Sequence, residues 1–240
     1  MKVALVRVGI DTGAGGIHGP LLDDRAFEYI PIPDRFRKHG VSSLNYGNAV
    51  GRHGKRLVEY FPQGWQAKAA KTRIHYDPEF ETFTYGDPTP PKRGLRLLKK
   101  GDLLVFYAGL RPWPDGGEPH LYIIGYFQVL AAGLAPQFSP GTLKKHFARN
   151  FHVHNLKVFE NQKQRLVLVK GGRGSRLLRE ACRISYTSQD RSGRPLKVLS
   201  LNMRKKFGDF RGRVSIQRSP TRWVEAKFVK RAARFVRSLL

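Results

Sequence analysis

Two apolar, aromatic-rich segments in the middle of the chain constrain its fold more than anything else in it. The first is Leu103-Leu104-Val105-Phe106-Tyr107-Ala108, opened by Gly101-Asp102; the second is Leu121-Tyr122-Ile123-Ile124-Gly125-Tyr126-Phe127-Gln128-Val129. Between them lies Arg111-Pro112-Trp113-Pro114-Asp115-Gly116-Gly117-Glu118-Pro119, too rich in turn residues to be regular. The pattern predicts an antiparallel hairpin with a long loop over residues 101–130. Neither strand alternates apolar with polar, so both faces must be covered, as in a small barrel or a sheet packed under helices.

The surrounding sequence suits many short elements joined by turns, since 15 Pro and 25 Gly are spread along all 240 residues. Residues 2–9 read as a strand, followed by the glycine-rich loop Asp11-Thr12-Gly13-Ala14-Gly15-Gly16. Residues 27–32 read as a second strand and residues 166–170 as a later one. Residues 36–75 carry no clear period. The C-terminus predicts a helix over about 220–238, with Ser219 as cap and Pro220 in its first turn. On that helix Phe228, Ala232, Phe235, Val236 and Leu239 fall on one face. With 40% hydrophobic residues the chain can bury a core, and without repeats or low-complexity tracts it reads as a single domain over 1–240.

Charge divides the chain unevenly. Residues 141–240 hold 26 Lys and Arg against 5 Asp and Glu, whereas residues 1–140 hold 18 against 13. Folding does not require such an imbalance and self-repulsion makes it costly, so a polyanionic partner is implied. The basic side chains that point to a nucleic-acid surface are Arg173, Lys205, Lys206 and Arg211, then Lys227, Lys230, Arg231 and Arg234 on the terminal helix. Glu225 is the sole acidic residue of that helix, so internal ion pairing does not explain its basic side; a solvated face is the plainer alternative. Trp113, in the Pro/Gly loop, is the aromatic expected to be exposed for base stacking. A start without an apolar leader, no span-length apolar run and a single cysteine, Cys182, lead to the expectation of a reduced, cytoplasmic, soluble protein without a disulfide or multi-cysteine zinc site.

Three places have residue types suited to chemistry. Asp11 sits in the glycine loop just before His18, although that loop lacks a P-loop lysine and suits a positive-φ turn equally well. His75-Tyr76-Asp77-Pro78 sets an imidazole and a carboxylate two residues apart, on one side of an extended segment; capping of a turn is the structural alternative. Phe151-His152-Val153-His154 repeats that spacing. If the segment is a strand, His152 and His154 face one way and suit either phosphate contact or a divalent metal completed by Asp77. No cofactor is firmly implied.

Taken in order, these pieces resemble a family, the third of the nucleotide modification associated domains. The pieces are the loop at Asp11 to Gly16, Ile30-Pro31-Ile32-Pro33-Asp34, His75-Tyr76-Asp77-Pro78, Gly101-Asp102-Leu103 through Gly109, and His152-Val153-His154-Asn155. Two departures stand out: residues 80–100 lack the family's Gln- and Gly-rich stretch, and His152-Val153-His154 replaces its His-Pro-His. The resemblance implies modified-base biology and assigns no reaction. Residues 95–130 separately resemble the barrel of PUA-like domains such as EVE and ASCH, which hold a nucleobase between sheet and loop. The expected fold is therefore α+β, mostly antiparallel, with a partly open PUA-like barrel, flanking helices and a C-terminal amphipathic helix. The leading expectation is binding of nucleic acid, DNA before RNA, at a modified or flipped base. Its rivals are an enzyme assembling Asp11, His75, Asp77, His152 and His154, and a basic RNA-associated structural protein without a pocket.

Overall fold

The computed structural model describes residues 1–34, 43–217 and 220–239. In chain order its strands and helices are β1 (Val3–Arg7), β2 (Gly19–Leu21), β3 (Ile32–Pro33), α1 (Gln63–Ala70), β4 (Ile74–His75), β5 (Thr84–Asp87), β6 (Leu103–Pro112) and β7 (His120–Leu134). There follow α2 (Pro140–Phe147), α3 (Phe151–His154), α4 (Leu156–Gln162), β8 (Val167–Gly171), β9 (Arg176–Arg183), β10 (Ser185–Gln189), β11 (Pro195–Leu199), α5 (Leu201–Phe207), β12 (Arg222–Trp223) and α6 (Ala226–Arg237). Eight strands form one sheet in the order β12-β1-β6-β7-β8-β5, with β2 also pairing with β6 and β9 with β7. Only β1 and β2 run parallel to their neighbour β6; the other pairings are antiparallel. The path ends at β12 and β5 without closure, so the class is α+β and the sheet is not a closed barrel.

The central hairpin forms as its composition predicts, in a register running from Leu103↔Gln128 to Leu110↔His120. Every residue of β6 from Leu103 to Leu110 is buried, which explains the unbroken apolar run. Phe80 packs edge-on against Phe106 and Phe127, each at 5.6 Å between ring centres. Asp102 anchors the start of β6: its carboxylate accepts from the backbone N–H of Lys2 at 2.6 Å and of Lys99 at 2.8 Å. Gly125 lies at a register shift of β7 against β9, where a Cβ would meet the Arg176 carbonyl oxygen at 2.7 Å.

The terminal helix exposes Lys227, Lys230, Arg231, Arg234 and Arg237, as its periodicity predicts; of the predicted apolar face it buries Ala232 and Val236 and half-buries Phe228, Phe235 and Leu239, and Val229 and Ala233 are buried as well. It begins later than predicted, at Ala226, because Arg222 and Trp223 are drawn into pairing with Leu5 and Ala4 of β1. Ser219, the predicted cap, lies outside the described residues.

Residues 27–32 do not form the predicted strand. Pro31 and Pro33 remove ladder donors, and the segment's backbone bonds are scattered, with the Glu28 N–H donating to the Pro20 carbonyl of β2 at 3.2 Å and the Ile10 N–H donating to the Ile30 carbonyl at 2.9 Å. Ile32 and Pro33 pair with His75 and Ile74 of β4, and Phe27 makes an isolated bridge to Leu21 of β2. The unpatterned region around α1 contributes a second apolar cluster, Ile10, Ile30, Tyr46, Leu57, Phe61 and Ile74 among its members, and this cluster supports β4 from below. Among the described residues no helix is long and apolar enough to cross a membrane.

Candidate functional site

Two segments distant in sequence bring His75, Asp77 and His152 together. The short β3–β4 pairing fixes His75 at the end of β4. The chain then turns through Asp77 and a cis Asp77–Pro78 bond into a tight loop, in which Glu79 and Thr84 exchange backbone hydrogen bonds at 2.8 and 2.9 Å. Glu79 holds the loop further by accepting from the Thr82 N–H at 2.8 Å. On the return strand, the Gly86 N–H donates to Asp77 Oδ1 at 2.9 Å. Asp77 therefore bridges the loop rather than capping its own turn.

His152 arrives on α3, a single helical turn whose start is set by Asn150. The Asn150 side chain accepts from the His152 N–H at 3.1 Å and donates to Thr84 Oγ1 at 3.3 Å, tying α3 to β5. His152 Nε2 then lies 3.5 Å from Asp77 Oδ2, and its Nδ1 contacts Gln162 Oε1 of α4 at 2.7 Å. One ligand-type atom from each of His75, Asp77 and His152 lies within 4.8 Å of the others. The three are 6%, 9% and 4% exposed, so they form a buried polar cluster.

Burial dominates the electrostatics. It drives His75 down to about 3, aided by the neighbouring His152. It pushes Asp77 up to about 6 against the hydrogen bond and charge of His152. Burial also pulls His152 down, but the bond and charge of Asp77, with help from Gln162, overcome it and leave His152 above its ordinary value. His75 stacks on Phe151 at 4.2 Å and 14°, and among the described residues neither of its ring nitrogens has a hydrogen-bond partner.

His75 also lines a cleft of about 570 Å³. Tyr29, Tyr76, Phe80 and Phe151 provide aromatic wall, Glu28 and Glu79 buried carboxylates, and Arg52 and Arg149 positive charge. Arg149 pairs with Glu81 at the mouth, while Arg52 donates to the carbonyls of Leu178 and Arg179 at 2.6 and 2.7 Å.

The remaining predicted residues lie elsewhere. Asp11 is on a different cleft, of about 400 Å³, with Arg7, His18, His120 and Lys197, and pairs with Arg7 at 3.1 Å. Its loop is a turn that needs glycine: Gly15 and Gly16 have φ of +112° and +88°, and a Cβ on either would sit 2.4 Å from Ile10 or Trp65. His154 does not share a direction with His152, because helical rather than extended backbone separates side chains two apart. His154 is exposed on the cleft wall and contacts the Ala148 carbonyl at 3.2 Å, outside the buried cluster. Trp113 is half-buried, edge-on to Tyr60 at 5.2 Å and covered by Lys55 Nζ at 4.3 Å; the more exposed indole is Trp65. Arg173, Lys205 and Arg211 are exposed, whereas Lys206 lies over Phe235 at 5.6 Å and Arg231 donates to the Lys205 carbonyl at 2.8 Å. Gln162, Asn150 and Gly86 escaped the sequence reading. Only Asn150 left a local signal, as a cap-type residue before a helical turn.

A family model described as nucleotide modification associated domain 3 matches residues 2–238. No curated protein and no solved structure matches the chain.

Proposed function

The chain belongs to the nucleotide modification associated domain 3 family, and from that premise we propose that it binds nucleic acid, DNA in preference to RNA, and recognises or processes a modified base held in the cleft beside His75. The observation that carries this reading is the cleft itself. At about 570 Å³ it is within the range of small-ligand sites, and its wall combines stacking rings with buried carboxylates. Tyr76 and Phe151 would sandwich a base that has left its stack, and Glu28 would accept from its exocyclic amine. Lys227, Lys230 and Arg234, exposed and without acidic partners on their own helix face, would follow the phosphate backbone.

Fluorescence anisotropy on labelled oligonucleotides tests it, with duplex and single-stranded DNA, RNA and duplexes bearing a modified base compared across a salt series. The expected log–log slope falls by about 0.9 for each phosphate neutralised. Lys230→Glu with Arg234→Glu should weaken all nucleic acids alike, while Phe151→Ala should weaken single-stranded and modified-base ligands more than plain duplex. A slope near zero, or affinity untouched by both changes, would sink the reading.

Convergence of His75, Asp77 and His152 favours a second reading, in which the bound base is also a substrate. Mass analysis of nucleosides after incubation decides it. Unchanged nucleosides across modified and unmodified DNA leave recognition alone.

A further inference from the structure

The buried cluster carries an inference that does not depend on nucleic-acid binding. We propose that His75, Asp77 and His152 bind one divalent first-row transition-metal ion.

The geometry suits an ion. Metal–ligand bonds to imidazole and carboxylate are about 2.0–2.2 Å, which places neighbouring ligand atoms about 3–3.5 Å apart around the metal. His152 Nε2 and Asp77 Oδ2 already stand at 3.5 Å, and one ligand-type atom from each of the three residues lies within 4.8 Å of the others.

The hydrogen bonding prepares each ligand. On His152, the Gln162 carbonyl oxygen at 2.7 Å takes the Nδ1–H, leaving the Nε2 lone pair directed at the cluster. On Asp77, the Gly86 N–H occupies Oδ1 and leaves Oδ2 facing His152. On His75, both ring nitrogens lack a hydrogen-bond partner among the described residues although the residue is only 6% exposed. Buried polar atoms are nearly always satisfied, and an ion would take one of those two nitrogens, which no side chain or backbone group among the described residues does. A bare Asp77–His152 pair would account for two members of the cluster and leave the third unexplained. Asn150 and Gln162, both buried, lock α3 and α4 around the cluster, as outer partners do around a metal ligand.

The donor set also narrows the ion. Two imidazoles and one carboxylate suit zinc, iron(II), cobalt or nickel; magnesium and calcium require oxygen-rich sites. His75 is the ligand that also lines the cleft, so the ion would lie just behind the wall that a cleft ligand touches.

The test uses the full chain, stripped with a chelator and desalted. Titration with Co(II) should produce visible ligand-field absorption that saturates at one equivalent, and Zn(II) should displace it. Elemental analysis after reloading with Zn(II) and a second desalting should find about one zinc per chain in the wild type and in His154→Ala, since His154 is outside the cluster. His75→Ala and His152→Ala should each retain less than about 0.1 equivalent. Gln162→Leu should bind roughly 10- to 100-fold more weakly, as loss of an outer partner does. Zn(II) should raise the wild-type Tm and leave that of His75→Ala unchanged, which separates lost binding from lost folding. Wild-type protein that takes up no cobalt and holds under 0.1 zinc would overturn the proposal, as would His75→Ala binding as wild type does. Oligonucleotide anisotropy on the same stripped and loaded samples keeps the two readings apart: DNA binding without metal uptake refutes only the ion, and metal uptake without DNA binding refutes only the nucleic-acid partner.

Discussion

Adding one methyl group behind the cluster should disturb fold and site together. Gly86 lies on β5 opposite Leu168, and its N–H holds Asp77. A Cβ there would sit 2.9 Å from Asn150 Oδ1 and 2.9 Å from His152 Cδ2. Favourable carbon contacts begin at about 3.5 Å, so both neighbours must retreat by roughly half an ångström. Neither is a pliant tip. Asn150 is fully buried and caps α3, and His152 is clamped between Gln162 and Asp77. Overpacking of this kind costs about 1–3 kcal/mol. At about 2–4 °C per kcal/mol for a chain of this size, Gly86→Ala should lower Tm by roughly 2–12 °C. Gly64→Ala is the control: Gly64 is on α1, nothing lies within 4 Å of the added Cβ, and the change should be neutral or stabilise by up to about 1 kcal/mol. Differential scanning calorimetry reads both. Gly86→Ala melting at or above wild type would refute the claim that the cluster is packed rigidly around that strand.

Three further outcomes are expected. Burial draws Lys92 down to about 8 from 10.5, against the opposing carboxylates of Asp87 and Asp77. Between those values the unfolded chain holds the extra proton, so stability rises with pH, by about 3 kcal/mol in all at ~1.4 kcal/mol per unit; Lys92→Met should abolish that rise in urea denaturation series. Buried tyrosines raised above 10 act in the opposite sense at higher pH, so the wild-type-minus-variant difference is the quantity to plot. Asp102→Ala strands the N–H groups of Lys2 and Lys99 and should cost about 2–4 kcal/mol in the same assay. Trp113→Ala should lower stability by about 2 kcal/mol through lost packing on Tyr60, yet leave DNA affinity within about twofold. A selective loss of single-strand binding would instead restore Trp113 as a base platform.

What could be read locally follows a physical line. The H-x-D pair points to the cluster, although only His75 is on a strand and Asp77 reaches His152 from the bend that follows it. The same spacing misleads at His152 and His154, where Asn150 caps a helical turn and sends the two rings apart. Asp11 looked chemically equivalent to Asp77, but its loop belongs to another cleft. The helix at the C-terminus was legible in its faces and not in its start, because pairing of Arg222 and Trp223 with β1 is a long-range event.

Burial and charge are properties that accumulate along a chain, so the sequence alone determined the unbroken apolar hairpin, the two-faced terminal helix and the concentration of positive charge in residues 141–240. Convergence is a property of packing. Only the tertiary structure decided that β4, the Glu79–Thr84 loop and α3 would meet, that Gln162 and Gly86 would each hold one ligand in place, and that His75 would be left buried with two unanswered nitrogens. The tie that brings α3 to β5, from Asn150 to Thr84, joins residues 66 apart in the chain, and no periodicity or composition encodes it.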